Sequence, residues 1–149
     1  GLEQQVREKG NEYGATTGRP RRCGWYDAVL ARHAVMVNGL HSLVVTKLDV
    51  LDDLPTVKLC RAYRCGDQTL EDFPADVELL DKCEPIYEEF PGWQTTTSDA
   101  RSFEDLPEAA QRYMNRLAEL SGAPVSIISV GQSRNDAIML DPSLETYAF

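Results

Sequence analysis

The sequence contains no pair of cysteines spaced as CxxC, the pattern typical of zinc sites and redox-active disulfides. Its four cysteines are scattered instead, at Cys23, Cys60, Cys65 and Cys83. Neither a zinc site nor a disulfide framework is indicated by this spacing. We therefore expect reduced thiols in a cytoplasmic protein.

Long apolar runs are absent too. No stretch is apolar for long enough to span a bilayer, and residues 1–9 alternate charge and polarity without the apolar core of a signal peptide. We expect a soluble chain that does not contact membranes. Because it starts at Gly1 rather than at Met, we also expect a piece of a longer protein. Its 149 residues, 42% of them hydrophobic, predict a single domain over residues 1–149.

Basic residues are few, and they are concentrated near the start of the chain. The first 32 residues carry six basic and four acidic side chains, whereas the whole chain has a net charge of −9. A polynucleotide would be repelled by most of such a surface, but a small anion could bind at the basic focus. The composition therefore argues against nucleic acid as a partner.

The basic focus is a loop over residues 13–25, YGATTGRPRRCGW. Glycines allow a ligand to approach the backbone closely, threonines donate hydroxyl hydrogen bonds, and arginines grip carboxylate or phosphate at two points. We interpret the loop as an anion-binding site. A solvated basic surface loop is the alternative that these residues leave open.

The remaining pattern predicts a mixed chain of helices and strands. Asp27 and Gly39 are placed to cap a helix with an apolar stripe, and Pro107 and Gly122 to bound a second one. Strands are predicted at residues 43–45, 57–63, 85–90, 125–130 and 137–140, with a hairpin turn at residues 65–68 and an irregular tail at the end. The stripe of the first helix comprises Ala28, Leu30, Ala31, Ala34 and Val35, and the strand at 43–45 is predicted to be buried.

Two predicted strands end in motifs with recognisable chemistry. The first ends in Thr46-Lys47-Leu48-Asp49, where a carboxylate can accept from the N1 and N2 donors of guanine while the lysine stem covers the base. This segment resembles the TKxD element of GTP-binding proteins, although an ordinary exposed strand end is the alternative. The second ends in Ser129-Val130-Gly131, whose backbone amides can meet a base carbonyl. In an open α/β arrangement both motifs could face one base, whereas a plain tight turn is the simpler reading of the second.

Taken together, the motifs resemble the C-terminal region of the adenylosuccinate synthetase family. The matching segments lie at residues 10–19, 22–25, 46–52, 84–88, 91–93 and 125–131, in the family's order across nearly the whole chain. The resemblance implies an α/β (mixed α+β) domain of a larger, mainly parallel-sheet nucleotide-binding enzyme. It also implies a purine-biosynthetic ligase that uses GTP, IMP, L-aspartate and Mg²⁺, is cytoplasmic, and forms a homodimer.

The resemblance further implies roles for individual residues. Residues 15–18 would bind aspartate, Arg19 would contact IMP and aspartate, and Arg21 would lie beside aspartate and the GTP phosphates. The complete set for aspartate and IMP is Ala15, Thr16, Thr17, Gly18, Arg19, Pro20 and Arg21. The set for GTP is Arg21, Lys47, Leu48, Asp49, Ser129, Val130 and Gly131.

The chain also lacks parts that such an enzyme needs. It has no GxxxxGK[ST] loop and no obvious magnesium carboxylate beside one, and we interpret its two histidines, His33 and His41, as structural or surface residues. In the family the phosphate loop, general base and general acid lie upstream. We therefore expect no catalytic residue or metal ligand here, and no turnover by this chain alone, with Mg²⁺ bound by an absent N-terminal part. A free-standing, non-catalytic guanine-nucleotide module is the alternative, and an acidic interaction protein has less support.

Overall fold

The structure is a computed structural model that describes residues 1–141 and residue 143. Its helices are α1 (Leu2–Lys9), α2 (Ala28–Asn38), α3 (Val77–Leu80) and α4 (Glu108–Ser121), with 3₁₀ turns at Leu48–Leu51 and Phe103–Asp105. Its strands are β1 (Tyr26–Asp27), β2 (Leu43–Val45), β3 (Thr56–Cys65), β4 (Gln68–Leu70), β5 (Cys83–Pro91), β6 (Val125–Ser129) and β7 (Ala137–Met139). Most of the predicted irregular tail lies outside the described residues.

The described strands form two sheets. In the first, β3 pairs with β5 along its whole length on one side, and with β1 and then β4 on the other. In the second, β6 lies between β2, which is parallel to it, and β7, which is antiparallel. Mixed pairing with helices packed on the sheets confirms the predicted mixed α+β class.

Both predicted helices form between their predicted caps. The Asp27 carboxylate accepts from the backbone N–H groups of Val29 and Leu30, both at 3.1 Å, and Gly39 ends α2 with φ of 61°. Helix α4 ends at Gly122, whose φ is 73°. The predicted apolar face of α4 is buried as expected, through Ala110, Tyr113, Met114 and Leu117.

Two apolar patterns are only partly buried, so the prediction of a buried strand at residues 43–45 is wrong. In α2 the buried side chains are Ala28 and Val29, whereas Leu30 is 48% exposed. The strand β2 forms as predicted, but Val44 is 58% exposed. The apolar patterns correctly predicted helix α2 and strand β2. Which side chains of each are buried depends on the neighbouring elements that pack against them.

The core consists of two clusters on opposite faces of β3. Val57 and Leu59 face α4 and β6, whereas Cys60, Tyr63 and Cys65 face α2. A β-bulge between Cys60 and Ala62 shifts the alternation of β3 by one residue, which brings residues 60, 63 and 65 to one face.

The expectation of reduced thiols is wrong for Cys65 and Cys83. These residues are cross-strand partners in β3 and β5, with Cα atoms 4.3 Å apart, and their sulfurs form a disulfide. Cys23 and Cys60 are free, and burial raises the pKa of the Cys60 thiol to about 11. The pairing was not visible in the sequence, because strand register brings together positions 18 residues apart.

Candidate functional site

The two polar motifs leave the second sheet at the same edge. Strands β2 and β6 are parallel neighbours, with Val45 opposite Ile128, so their carboxyl ends point the same way. The 3₁₀ turn at Leu48–Leu51, which follows β2, packs against β6. The structure therefore brings residues 46–49 and 129–131 to one side of the sheet, the usual location of ligands in α/β folds.

Asp49 carries an unused acceptor. Its Oδ1 atom is buried and receives no hydrogen bond from any described residue. Burial is the main reason that the pKa of this carboxyl is raised above its ordinary value, and the nearby Asp52 charge adds to the effect. A buried acceptor without a partner is unfavourable in the free protein, and a donor from a ligand would remove that penalty.

Lys47 has an unusual backbone conformation, and its side chain makes two hydrogen bonds. Its φ of 62° lies in the left-handed region, which is uncommon for a residue other than glycine. Its ammonium donates to the carbonyl oxygen of Gly10 at 2.7 Å and to Glu12 Oε1 at 2.5 Å. The ammonium is thereby bonded to the segment that leads into the arginine loop.

A buried carboxylate, Asp52, supports the turn that carries Asp49. It accepts from the indole N–H of Trp93 at 2.7 Å, and from the backbone N–H and the hydroxyl of Thr97 at 2.8 and 2.9 Å. All three side chains are buried. The segment after β5 therefore fastens the end of the 3₁₀ turn to the core.

The loop after β6 is tightly folded around Asp136. The backbone N–H of Val130 donates to the Asp136 carbonyl oxygen at 2.7 Å, and the Ser129 hydroxyl donates to the carbonyl oxygen of Gly131 at 3.0 Å. A Cβ on Gly131 would lie 2.5 Å from Asp136 Oδ2. The Val130 amide is thus already used within the loop, and only a residue without a side chain fits at position 131.

The arginine loop is an ordered turn rather than an extended arm. Tyr13 and Pro20 form an antiparallel bridge, and the backbone N–H of Gly14 donates to the Arg19 carbonyl oxygen at 2.8 Å. Gly18 closes the turn with φ of 65°. Pro20 stands where no N–H is required, and residues 15–22 are exposed at the surface.

The three arginines of this loop differ in their contacts. Arg21 pairs with Glu12 Oε2 at 3.1 Å, and its backbone N–H donates to the Glu12 carbonyl oxygen at 3.0 Å. Within residues 1–141 and 143, no acidic side chain pairs with Arg19 or Arg22. Two guanidiniums are therefore open to an anionic ligand.

Glu12 connects the two predicted sites. Its carboxylate touches Lys47 from the first and Arg21 from the second. A cavity of about 270 Å³ lies beside this link, and its wall includes Glu12, Trp25, Thr46 and Lys47. Asp49 and residues 129–131 are not among its lining residues, so this cavity lies beside the predicted base site and does not include it.

The structure shows no metal centre among the residues it describes. No three His, Cys, Asp or Glu side chains in that part of the chain come together as a ligand set. His33 stacks on Phe73, with ring centroids 5.0 Å apart, and His41 is exposed before β2. Among the described residues, no helix is long and apolar enough to cross a bilayer.

Sequence reasoning assigned no role to Glu12 or Asp52, although both lie inside the matched segments. Their partners are distant in the sequence, 35 residues away for Glu12 with Lys47 and 41 for Asp52 with Trp93. The local sequence offers no signal for either role, since Asp52 is one of three acidic residues between positions 49 and 53.

Comparison with known proteins gives one consistent result. The family model described as adenylosuccinate synthetase matches residues 1–138. The adenylosuccinate synthetase of Desulforamulus reducens is 52% identical over 141 residues, covering 95% of this chain and 33% of that protein. The enzyme of Geotalea daltonii is 51% identical over 142 residues, with the same two coverages.

A solved structure agrees with these sequence matches. The fully ligated adenylosuccinate synthetase from Plasmodium falciparum superimposes with a TM-score of 0.88 at 36% identity, covering 94% of this chain and 34% of that one. The chain spans about a third of the length of these relatives. With a family match over most of its residues, the chain belongs to the adenylosuccinate synthetase family.

Proposed function

We propose that this chain is the C-terminal part of an adenylosuccinate synthetase, a GTP-dependent ligase that joins IMP and L-aspartate in AMP biosynthesis. In that reaction GTP phosphorylates the 6-oxygen of IMP, and aspartate then displaces the phosphate. The products are adenylosuccinate, GDP and phosphate. The role proposed for this chain is to hold guanine and to bind aspartate, as one domain over residues 1–149.

The observation that carries the proposal is the unpartnered Oδ1 of Asp49 at the shared edge of β2 and β6. Guanine offers two neighbouring donors, N1–H and the 2-amino group, which match a carboxylate. Adenine presents no such pair, so it would leave Asp49 poorly satisfied. The stem of Lys47 covers the base in this proposal, with Leu48 and residues 129–131 completing its surroundings.

The arginine loop supplies the second half of the proposal. Aspartate carries two carboxylates, and residues 15–20 present hydroxyls, a tight turn and the open guanidinium of Arg19. Arg19 contacts both IMP and aspartate in this proposal. Arg21 lies toward the GTP phosphates, where a guanidinium stabilises the charge that develops on a transferred phosphoryl group.

Magnesium is assigned to another part of the enzyme in this proposal. The family implies Mg²⁺, which would neutralise charge on the GTP phosphates, but no suitable ligand set occurs among the described residues. We assign its ligands, the general acid and the general base to the rest of the full-length protein. We further propose that the full-length protein is cytoplasmic and homodimeric.

A comparison of two proteins tests the proposal. The native full-length polypeptide should convert IMP, GTP and aspartate to adenylosuccinate in the presence of Mg²⁺, whereas residues 1–149 alone should give no product above background. No activity of the full-length protein would overturn the proposal. Product from residues 1–149 alone would refute the assignment of the acid and base to another part of the chain.

The mass of the native polypeptide tests the domain assignment separately. Because the chain covers 33% of its relatives, the native polypeptide should be about three times as long as this chain. Intact mass spectrometry of the protein from its source measures this directly. A mass of 16.7 kDa would instead mean a free-standing module, which would exclude catalysis by this chain.

A further inference from the structure

We propose that Glu12 is a positioning residue that couples guanine binding to aspartate binding by holding Lys47 and Arg21 on one carboxylate. This inference rests on the proposed function, which places the lysine at the guanine site and the arginine at the aspartate and phosphate site. Glu12 itself touches neither substrate in this proposal.

The contacts are divided between the two oxygens of the carboxylate. Oε1 accepts from the Lys47 ammonium at 2.5 Å, and Oε2 from the Arg21 guanidinium at 3.1 Å. The side chain of Glu12 is 24% exposed, against 45% for Lys47 and 59% for Arg21. The acid is thus the least accessible member of the group, and each oxygen serves one cation.

Without the Glu12 carboxylate, the Lys47 ammonium and the Arg21 guanidinium would be neighbouring positive charges with no negative charge between them. Like charges at short range repel, and hydrogen bonds to charged groups contribute more than neutral ones. The Lys47 ammonium keeps a second acceptor, the carbonyl oxygen of Gly10, which is a neutral group. The pKa of Glu12 is lowered, first by the hydrogen bond from Lys47, so the carboxylate stays charged at neutral pH.

The backbone contributes to the link at both ends. Lys47 has a left-handed conformation, with φ of 62°, and its ammonium reaches the carbonyl oxygen of Gly10. The backbone N–H of Arg21 donates to the Glu12 carbonyl oxygen at 3.0 Å. Both the backbone and the side chain of Arg21 are therefore bonded to Glu12. A ligand that moves Lys47 therefore acts on Arg21 through one group, and the reverse holds by linkage.

Steady-state kinetics of the native full-length polypeptide test the inference through Glu12→Gln, which keeps the size of the side chain and removes its charge. We expect the KM for GTP to rise about tenfold, the KM for aspartate to rise as well, and kcat to change less. Glu8→Gln is the matched control, because Glu8 is exposed and its carboxylate accepts only from the Gln4 side chain among the described residues. The control should leave both KM values unchanged.

A double-mutant cycle separates positioning from a general structural effect. In a Lys47→Met background, Glu12→Gln should add little to the KM for GTP but should still raise the KM for aspartate through Arg21. An equal further increase in the KM for GTP in that background would overturn the coupling. KM values of Glu12→Gln within twofold of those of an active wild-type protein would also overturn the coupling. An inactive wild-type protein would instead overturn the proposed function itself.

Discussion

Trp93 donates its indole N–H to the carboxylate of Asp52 over 2.7 Å, and both side chains are buried. The bond joins the end of the 3₁₀ turn that carries Asp49 to the segment that follows β5. Thr97 adds two further hydrogen bonds to the same carboxylate. The position of the candidate base site therefore depends on Asp52, which is buried in the core and bonded to other side chains.

Replacing Asp52 should destabilise the two segments that it joins, the 3₁₀ turn and the segment after β5. Asp52→Ala leaves three buried donors without an acceptor, and we expect a loss of about 3 kcal/mol in the free energy of local unfolding. Native-state hydrogen exchange of the Val50 and Leu54 amides, which are hydrogen-bonded on either side of Asp52, measures it. Asp53→Ala is the control, because the exposed Asp53 side chain pairs with Lys9 alone among the described residues, and its loss should cost about 0.5 kcal/mol or less. Equal protection in both variants would contradict a supporting role for Asp52.

Base selectivity should depend on Asp49. Asp49→Ala is expected to weaken GDP binding about tenfold or more, because both guanine donors lose their acceptor, and to leave ADP binding unchanged. Calorimetric titration of the native full-length polypeptide with each nucleotide measures this, with Asp53→Ala as the matched acidic control. Wild-type protein that binds ADP as tightly as GDP would refute the role given to Asp49.

The same residue should give nucleotide binding a pH dependence. Guanine requires the ionised carboxylate, and burial raises the pKa of Asp49. GDP affinity should therefore fall as the pH drops through that raised pKa, beginning above the value of about 4 that is usual for Asp. Titrations at successively lower pH, starting from pH 7, follow the loss, and Asp49→Asn should abolish the dependence. An unchanged pH profile in Asp49→Asn would assign the titration to another group.

The loop after β6 should not tolerate a side chain at position 131. A Cβ there would lie 2.5 Å from Asp136 Oδ2, which also accepts from the backbone N–H of Ser133 at 2.9 Å. Gly131→Ala should cost about 1–3 kcal/mol and lower the hydrogen-exchange protection of the Val130 amide. Gly24→Ala is the control, since nothing lies within 4 Å of a Cβ at that position. Full protection of Val130 in Gly131→Ala would contradict the packing described.

The disulfide between Cys65 and Cys83 predicts which cysteines react with an alkylating agent. Alkylation of the denatured, unreduced polypeptide should label Cys23 and Cys60 but leave Cys65 and Cys83 unmodified, as peptide mass spectrometry would show. Cys83→Ser should reduce stability by about 3 kcal/mol, as expected for a bridge that closes a loop of this length. Cys23→Ser should have little effect. Labelling of both Cys65 and Cys83 before reduction would show that the bridge is not formed.

Sequence reasoning was most accurate where the relevant interactions are local. The caps of α2 at Asp27 and Gly39 and the buried face of α4 follow from residues a few positions apart, so the sequence predicted them correctly. The hairpin of β3 and β4 follows in the same way from the turn at Gly66. The two strand-end motifs were likewise readable, because each is contiguous.

The candidate site needed the fold as well. The sequence placed Lys47, Asp49 and residues 129–131 at strand ends, but only the parallel pairing of β2 with β6 brings them to one edge. Helix α1 and the outward face of Val44 were not predicted, because residues 1–9 show no clear apolar periodicity and burial depends on the neighbouring elements.

The sequence by itself thus determined the family resemblance, the capped helices and the chemistry of each motif, since these depend on residue types in short contiguous segments. Tertiary structure alone decided the disulfide between Cys65 and Cys83, the burial of Asp52 against Trp93, and the link from Lys47 through Glu12 to Arg21. Most of these partners are far apart in the chain. Strand register and loop packing set their distances, and neither is encoded in local spacing.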